Sequence, residues 1–218
     1  MHPDFWQARW QRGETGWHEG QINVHLQELW PGLGLDPATR VFVPLCGKSR
    51  DLLWLAGRGH RVLGVELAEV GVQAFFDENG LRPTVTDEPP FRRYAVDEVT
   101  LLCGDFFDLR PEHLAGVGAF YDRASLIALP PALRERYAAH LKTLLPAAIG
   151  LLITFDYDQA EMAGPPFSVQ PGEVARLLGD RFALTALADL DLIDESPKFR
   201  QRGLTALREK VWRLHPRG

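Results

Sequence analysis

The chain has 218 residues, of which 45% are hydrophobic and 24% are charged, and its formal net charge is −5. This length fits one domain of about 100–200 residues, which can bury a large core without disulfides or a structural metal. The hydrophobic content excludes intrinsic disorder. The longest charge-free apolar run, residues 143–155, is shorter than the ~20 residues that span a bilayer.

The N-terminus, the cysteines and the charge indicate a soluble globular protein. The first residues contain no apolar signal-peptide core, and Cys46 and Cys103 form neither a disulfide framework nor a metal-type pair. The histidines lack the spacing of metal ligands, and the negative charge argues against nucleic-acid binding. We therefore expect a cytoplasmic protein without a metal, a membrane or a nucleic acid as partner. We also expect a monomer.

One segment departs from the overall acidity. Residues 198–217 contain seven Lys and Arg residues against the single acid Glu209. We interpret this segment as a basic surface that the acidic residues of 189–195 balance. A site for an anionic or electron-rich ligand is the alternative.

Short apolar runs alternate with helical patterns along most of the chain. The predicted strands are residues 40–45, 61–66, 99–103, 119–122, 148–155, 182–192 and 204–214. The predicted helices are residues 49–57, 68–79, 133–145 and 172–178. This alternation is typical of an α/β protein with a doubly wound, mostly parallel sheet of seven strands and helices on both faces. The last two strands have no helical pattern between them, so we expect them to be antiparallel.

Two segments lie outside this alternation. Residues 1–30 hold four of the six tryptophans, and residues 82–98 form a proline-rich insertion. Ligands of doubly wound sheets bind at the carboxyl ends of the strands. We therefore expect both segments to cover that edge as lids within a single domain of residues 1–218.

The turn after the first predicted strand, PLCGKS, excludes two common nucleotide sites. A P-loop ending in Gly47-Lys48-Ser49 would require glycine at position 42, which is Phe42. The dinucleotide fingerprint fails as well, because Gly47 is its only glycine. A turn so poor in glycine does not wrap its amides around phosphates.

The ends of the next strands carry residues suited to a nucleoside without phosphates. Glu66 ends the second strand, where a carboxylate accepts both hydroxyls of a ribose. Asp105 and Phe106 follow the third strand and suit the amine and the face of an adenine. S-adenosylmethionine is the cofactor that these features favour. The alternatives are a surface carboxylate for Glu66, a turn cap for Asp105 and core packing for Phe106.

The N-terminal sequence FWQARWQRGETGWHEG opens a series of motifs that resembles the thiopurine S-methyltransferase family, of the bacterial type. The others are VFVPLCGKSRDLLWLAGRGHRVLGVELAEVGVQAFF, CGDFFDL, YDRASLIAL and GPPFSV, which occur in the family's order and span nearly the whole chain. The resemblance implies a class I, Rossmann-like methyltransferase with an N-terminal helical lid that uses S-adenosylmethionine.

The resemblance also implies roles for individual residues. Arg123 would lie near the methionine end of the cofactor or near the acceptor thiol, with a catalytic role. The residues implied to hold the cofactor are Trp10, Leu45, Glu66, Asp105, Phe106 and Arg123. Those implied to form walls of the acceptor site are Trp17 and the turn containing Pro165 and Pro166. Trp10 could instead belong to a helix stripe packed on the protein body, and the proline turn could be a rigid connector.

The implied reaction transfers a methyl group to the sulfur of an aromatic heterocyclic thiol such as a thiopurine. Arg123 cannot act as a base, so we expect it to lower the pKa of the acceptor thiol. Asp122 is a weak candidate base, and a structural ion pair of Asp122 with Arg123 is the alternative. Three other functions stay open: methylation of inorganic selenium or tellurium compounds, a catalytically silent cofactor-binding regulator, and a nucleic-acid methyltransferase.

Overall fold

A computed structural model describes residues 3–14, 16 and 18–218 of the chain. The strands are β1 Arg40–Val43, β2 Arg61–Glu66, β3 Thr84–Glu88, β4 Phe91–Val96, β5 Val99–Cys103, β6 Val117–Arg123, β7 Ile149–Asp156, β8 Phe182–Asp191 and β9 Arg208–Pro216. The α-helices are α1 Pro3–Gln11, α2 Val24–Leu29, α3 Asp51–Gly57, α4 Glu69–Glu78, α5 Ser125–Ala128, α6 Pro131–Leu144, α7 Pro171–Leu178 and α8 Pro197–Gln201. In the part of the chain that the structure describes, no helix is both long and apolar enough to cross a membrane.

The nine strands belong to one sheet in the order β3-β4-β5-β2-β1-β6-β7-β9-β8. The α/β class is confirmed, and each of the seven predicted strands is present. The predicted number of seven is nevertheless wrong, because residues 82–98 contribute β3 and β4. The sheet is also mixed rather than mostly parallel, since β3, β4, β8 and β9 all pair antiparallel.

The chain divides into two compact units after Tyr121. In the first unit, β2 pairs in parallel with both β1 and β5, and β1 pairs in parallel with β6. These strands form buried apolar runs because both faces of a parallel sheet are normally covered. In the second unit, β9 pairs antiparallel with both β7 and β8. A single domain over residues 1–218 remains a prediction.

The N-terminal segment of the first unit is docked by a buried carboxylate. Asn23 caps α2 by accepting a hydrogen bond from the amide of Leu26, and its own amide donates to Asp51 Oδ1 at 2.9 Å. The hydroxyl of Tyr121 donates to Asp51 Oδ2 at 3.0 Å. Asp51, at the first turn of α3, therefore ties the entry of α2 to the end of β6.

The predicted lid of residues 82–98 is mostly part of the sheet. β3 and β4 form an antiparallel hairpin whose second strand pairs with β5. Only the tip of the hairpin reaches the carboxyl end of β5, where a Cβ on Gly104 would lie 2.5 Å from the ring of Phe91. The expectation of a lid overlooked that the exposed strand TVTDE pairs through its backbone and needs no buried side chains.

Candidate active site

The turn after β1 directs a backbone donor to a carboxylate on β2. Leu45 and Gly47 both have positive φ values, 44° and 54°. This conformation turns the amide of Gly47 toward Glu66 Oε2, at 3.0 Å. The ammonium group of Lys48 forms an ion pair with Glu78 of α4. The turn therefore uses its amide and its lysine within the protein, unlike a phosphate-binding loop.

Glu66 is a buried carboxylate at the end of β2, with 7% of its surface exposed. Its second oxygen, Oε1, accepts a hydrogen bond from the amide of Ala68 at 2.8 Å. Burial raises the pKa of Glu66, although the two amides favour its charged form. A carboxylate offers about four acceptor positions, so two amide bonds leave capacity for two further donors. The two hydroxyls of a ribose are two such donors.

Trp10 of α1 packs on two glycines of the first unit. A Cβ on Gly47 would lie 3.4 Å from the indole ring, and one on Gly71 of α4 would lie 2.9 Å from it. Only 6% of the Trp10 surface is exposed. The packing supports the alternative of an aromatic side chain seated on the protein body. It also places the ring beside the Gly47 turn, whose Leu45 is half-buried, so the predicted cofactor contacts of both side chains remain predictions.

Replacing Gly71 by alanine is expected to displace the Trp10 ring, because a contact of 2.9 Å is closer than a Cβ tolerates. We expect a loss of stability of about 1–3 kcal/mol, typical of overpacking in a closely packed site. Denaturant unfolding and tryptophan fluorescence would measure the two effects. Gly57→Ala serves as the matched control, since no atom lies within 4 Å of a Cβ at that helical glycine. Equal stability of the two variants would contradict the predicted seat of Trp10.

The predicted adenine residues follow β5, next to Glu66. The amide of Gly104 donates to the carbonyl of Glu66 at 2.9 Å, which holds the start of this turn beside the end of β2. Asp105 Oδ1 accepts from the amide of Phe107 at 2.9 Å, as a turn cap does. The ring of Phe106 is buried and stacks on Phe42 with 6.5 Å between centroids. Both alternatives, cap and core packing, are therefore present, and the adenine contacts remain predictions.

In the second unit, Asp122 organises the turn that carries Arg123. Its Oδ1 accepts from the amides of Ser125 and Leu126, and its Oδ2 accepts from the hydroxyl of Tyr137 at 2.7 Å. Asp122 is 1% exposed, and burial raises its pKa. These contacts assign Asp122 the task of holding the start of α5, which argues against a role as a base. Arg123 is half-buried at the end of β6.

The proline turn is held by its carbonyl groups. The carbonyl of Pro165 accepts from the guanidinium of Arg202 at 3.1 Å, and that of Pro166 accepts from the hydroxyl of Tyr157 at 2.6 Å. In the basic segment, Arg200 forms an ion pair with Asp194. Trp17, the other predicted wall of the acceptor site, lies outside the described residues.

Neither cysteine is poised to act as a nucleophile. Burial raises the pKa of the Cys46 thiol well above its usual value, and burial also raises that of Cys103 to about 11. Both side chains are therefore thiols at neutral pH, whereas the reactive form of cysteine is the thiolate. Among residues 3–14, 16 and 18–218, no group of three or more His, Cys, Asp or Glu side chains is arranged to hold a metal ion.

Three structurally important residues were not identified from the sequence. Asp51 follows the PLCGKS turn, where an acid at the start of an apolar helix was the available signal. Gly71 interrupts a helical pattern, and such a glycine often marks close packing. Tyr157 carried no local signal, because its partner carbonyl lies in the proline turn.

Comparisons with known proteins identify the family of the chain. The family model for thiopurine S-methyltransferase matches residues 1–217. A thiopurine S-methyltransferase of Pseudomonas fluorescens strain Pf0-1 is 53% identical over 214 residues, covering 98% of this chain and 99% of the relative. One from Azotobacter vinelandii is 54% identical over 218 residues, covering both chains fully.

Solved structures share the fold at low sequence identity. An S-adenosylmethionine-dependent methyltransferase of Anabaena variabilis superposes with a TM-score of 0.66 at 12% identity, covering 99% of this chain and 95% of that one. A Burkholderia thailandensis 1,6-didemethyltoxoflavin-N1-methyltransferase, solved with S-adenosylhomocysteine, has a TM-score of 0.64 at 19% identity over 99% of this chain and 87% of that one. The fold is thus that of S-adenosylmethionine-dependent methyltransferases. The family match and the relatives at about half identity confirm the resemblance noted in the sequence, and this chain belongs to the thiopurine S-methyltransferase family.

Proposed function

We propose that this enzyme transfers a methyl group from S-adenosylmethionine to the sulfur of aromatic heterocyclic thiols, thiopurines among them. The observation that carries the proposal is the buried carboxylate of Glu66 at the end of β2, in a chain whose relatives over its full length are thiopurine S-methyltransferases. A phosphate-free nucleoside suits this carboxylate and the turn that donates to it.

The residues at this edge of the first unit fit the cofactor. Glu66 would accept the ribose hydroxyls through the acceptor positions that the amides of Gly47 and Ala68 leave free. Asp105 would accept from the adenine amine, and the Phe106 ring would contact the adenine face. Trp10 and Leu45 would contribute apolar contacts beside the Gly47 turn.

When bound, the cofactor supplies the methyl group from a sulfonium: the acceptor sulfur forms the new S–C bond as the cofactor's S–C bond breaks, and that electron pair stays on the cofactor sulfur. The acceptor thiol loses its proton to solvent before this step. Arg123 would favour the thiolate by lowering the pKa of the bound thiol, because a guanidinium remains protonated in proteins. No side-chain base is needed for a thiol that ionises near neutral pH.

Apolar walls would serve the same reaction. A cation and a thiolate give two neutral thioethers, so excluding water favours the transition state over the separated charges. Trp17 and the Pro165–Pro166 turn would form such walls around the acceptor. Helix α1, with Trp10 seated on Gly47 and Gly71, would belong to the N-terminal lid.

Methyl transfer from labelled S-adenosylmethionine to 6-mercaptopurine tests the proposal, with calorimetric measurement of cofactor binding on the same preparation. We expect an S-methylated product by mass spectrometry and cofactor-dependent turnover. Cofactor binding without turnover would overturn the thiol as acceptor, and parallel assays with selenite and tellurite would then identify an inorganic acceptor. Binding without turnover on any of these compounds would point to a regulator, and absence of cofactor binding would refute the role of Glu66.

A further inference from the structure

We propose that Tyr157 is a positioning residue for the methyl acceptor: it holds the Pro165–Pro166 turn in place through a polar network with Gln159, Ser168 and Arg134, and thereby sets selectivity among acceptor thiols. This inference rests on the proposed function, in which the proline turn forms a wall of the acceptor site. All the contacts that support it lie within the second unit of the chain.

Two consecutive prolines leave a turn with few means of attachment. Proline has no backbone N–H, so Pro165 and Pro166 can be held only through their carbonyl oxygens and their rings. The two carbonyls accept from Arg202 and from Tyr157, the latter at 2.6 Å. The first amide after the prolines, that of Phe167, donates to the carbonyl of Ile127 in α5 at 2.6 Å. The hydroxyl of Tyr157 thus provides one of the polar attachments of this wall.

A network behind the turn holds Tyr157 itself. The amide of Tyr157 donates to Ser168 Oγ at 3.1 Å, and its hydroxyl accepts from Gln159 Nε2 at 3.2 Å. The amide of Ser168 donates to Gln159 Oε1 at 3.0 Å. The carbonyl of Ser168 accepts from the guanidinium of Arg134 at 2.7 Å. The segment after the turn is therefore hydrogen-bonded to the end of β7 and to α6.

Because the groups that form these hydrogen bonds are buried, the bonds restrict the position of the proline turn. Tyr157 is 4% exposed and Arg134 is 2% exposed, and Arg134 lies 3.3 Å from Glu173. Burial also raises the pKa of Tyr157, so its hydroxyl keeps its proton and donates to Pro166 throughout the neutral range. A buried polar group that lost its partner would pay the full cost of desolvation, so the turn is confined to the position that satisfies the hydroxyl.

The connection through Ile127 relates the wall to the proposed catalytic arginine. Ile127 lies in the short helix α5, whose first turn is held by Asp122. Arg123 immediately follows Asp122, so the same helix links the arginine and the proline turn. Movement of the turn would therefore alter how an acceptor ring sits relative to Arg123, which is the geometry that a positioning residue controls.

The test compares Tyr157→Phe with the wild type on 6-mercaptopurine and on a smaller thiol, thiophenol. Tyr157→Phe removes the hydrogen bond donated to Pro166 and the one accepted from Gln159, and it is expected to raise the KM for 6-mercaptopurine about three- to tenfold. The ratio of kcat/KM between the two thiols should fall, because a looser wall discriminates less by size. The affinity for S-adenosylmethionine should stay within about twofold. A purely structural loss would lower the melting temperature and change both substrates' parameters together.

Two further variants keep the test decisive. Gln159→Ala removes the donor to the Tyr157 hydroxyl at an exposed position, and it should raise the acceptor KM in the same direction. Tyr94→Phe is the matched control, since its hydroxyl donates to Glu69 in the first unit, and the acceptor KM should not change. An unchanged acceptor KM in Tyr157→Phe and Gln159→Ala, with normal wild-type turnover, would overturn the role of Tyr157. Absence of turnover in the wild type would instead overturn the proposed function.

Discussion

Glu66→Ala is expected to weaken the binding of S-adenosylmethionine by about 1.5–3 kcal/mol, the usual contribution of hydrogen bonds to a charged group. The loss corresponds to about a 10- to 150-fold increase in Kd. The variant removes the carboxylate that would accept the ribose hydroxyls and leaves the amides of Gly47 and Ala68 without their acceptor. Calorimetric titration with S-adenosylmethionine measures the effect directly.

The same carboxylate should make cofactor affinity depend on pH. Because burial raises the pKa of Glu66, this carboxyl takes up its proton in the free enzyme at a higher pH than an ordinary glutamate does. Affinity should therefore be full above this raised pKa and should fall as the pH decreases through it. The contribution of Glu66 to the stability of the fold changes with pH in the opposite direction. Because the pKa of Glu66 is higher in the folded protein than in the unfolded chain, the free energy of unfolding decreases as the pH rises from the unfolded-state pKa to the folded-state pKa.

Glu66→Gln separates charge from shape. The amide keeps the size of the side chain and one acceptor oxygen, so binding should be weaker and should lose its dependence on acid pH. If Glu66→Ala binds S-adenosylmethionine with the same Kd as the wild type, Glu66 does not bind the ribose. Comparison of unfolding free energies is needed alongside, since the carboxylate also binds two backbone amides of the protein.

Arg123→Ala is expected to reduce kcat about tenfold at pH values below the pKa of the free acceptor thiol. A nearby cation lowers the pKa of a thiol by about one unit or more, and each unit changes the thiolate fraction tenfold in that range. The loss should shrink as the pH rises, because the thiol then ionises without assistance. The pH dependence of kcat and of kcat/KM for 6-mercaptopurine measures the effect.

A variant that keeps the charge provides the control. Arg123→Lys retains a cation and should recover part of the rate at low pH, whereas a planar, bidentate contact would not be recovered by lysine. If the loss in Arg123→Ala were the same at every pH, Arg123 would hold the structure or the cofactor and would have no role in thiol ionisation. Asp122 should not be used as a neutral comparison, because it binds Tyr137 and two amides of α5.

The sequence places its candidate site residues at the ends of strands, and the structure confirms that position, while their roles stay predictions. Glu66 was identified because an apolar run ends there, and parallel strands place their carboxyl ends at one edge. The structure agrees with that logic, since β2 pairs with β5 so that Glu66 lies opposite Cys103, just before Asp105. The argument against a phosphate-binding loop also depends on neighbouring residues alone, because it rests on the lack of glycines around Gly47.

The hairpin of β3 and β4 shows where such reasoning fails. All five residues of β3 are exposed, so no alternation of buried and polar positions marks the strand. What defines it is backbone pairing with β4, and backbone donors and acceptors leave no trace in the sequence. The prolines at 89 and 90 lie in the segment that we expect to be a lid, whereas in the structure they form the turn of the hairpin.

Local patterns and the order of motifs along the chain are enough to predict the α/β class, the seven apolar strands, the family and the carboxylate at the end of β2. The folded structure is needed to see the nine-stranded mixed sheet, the packing of Trp10 on Gly71 and the hydrogen bonds by which Asp122 holds the start of α5. It also brought Arg134 to Ser168, 34 residues away, and Tyr157 to the proline turn. Trp10 and Gly71, like Arg134 and Ser168, lie far apart in the chain, whereas Tyr157 and Pro166 are only nine residues apart. The energy of all these contacts depends on burial and geometry that exist only after folding.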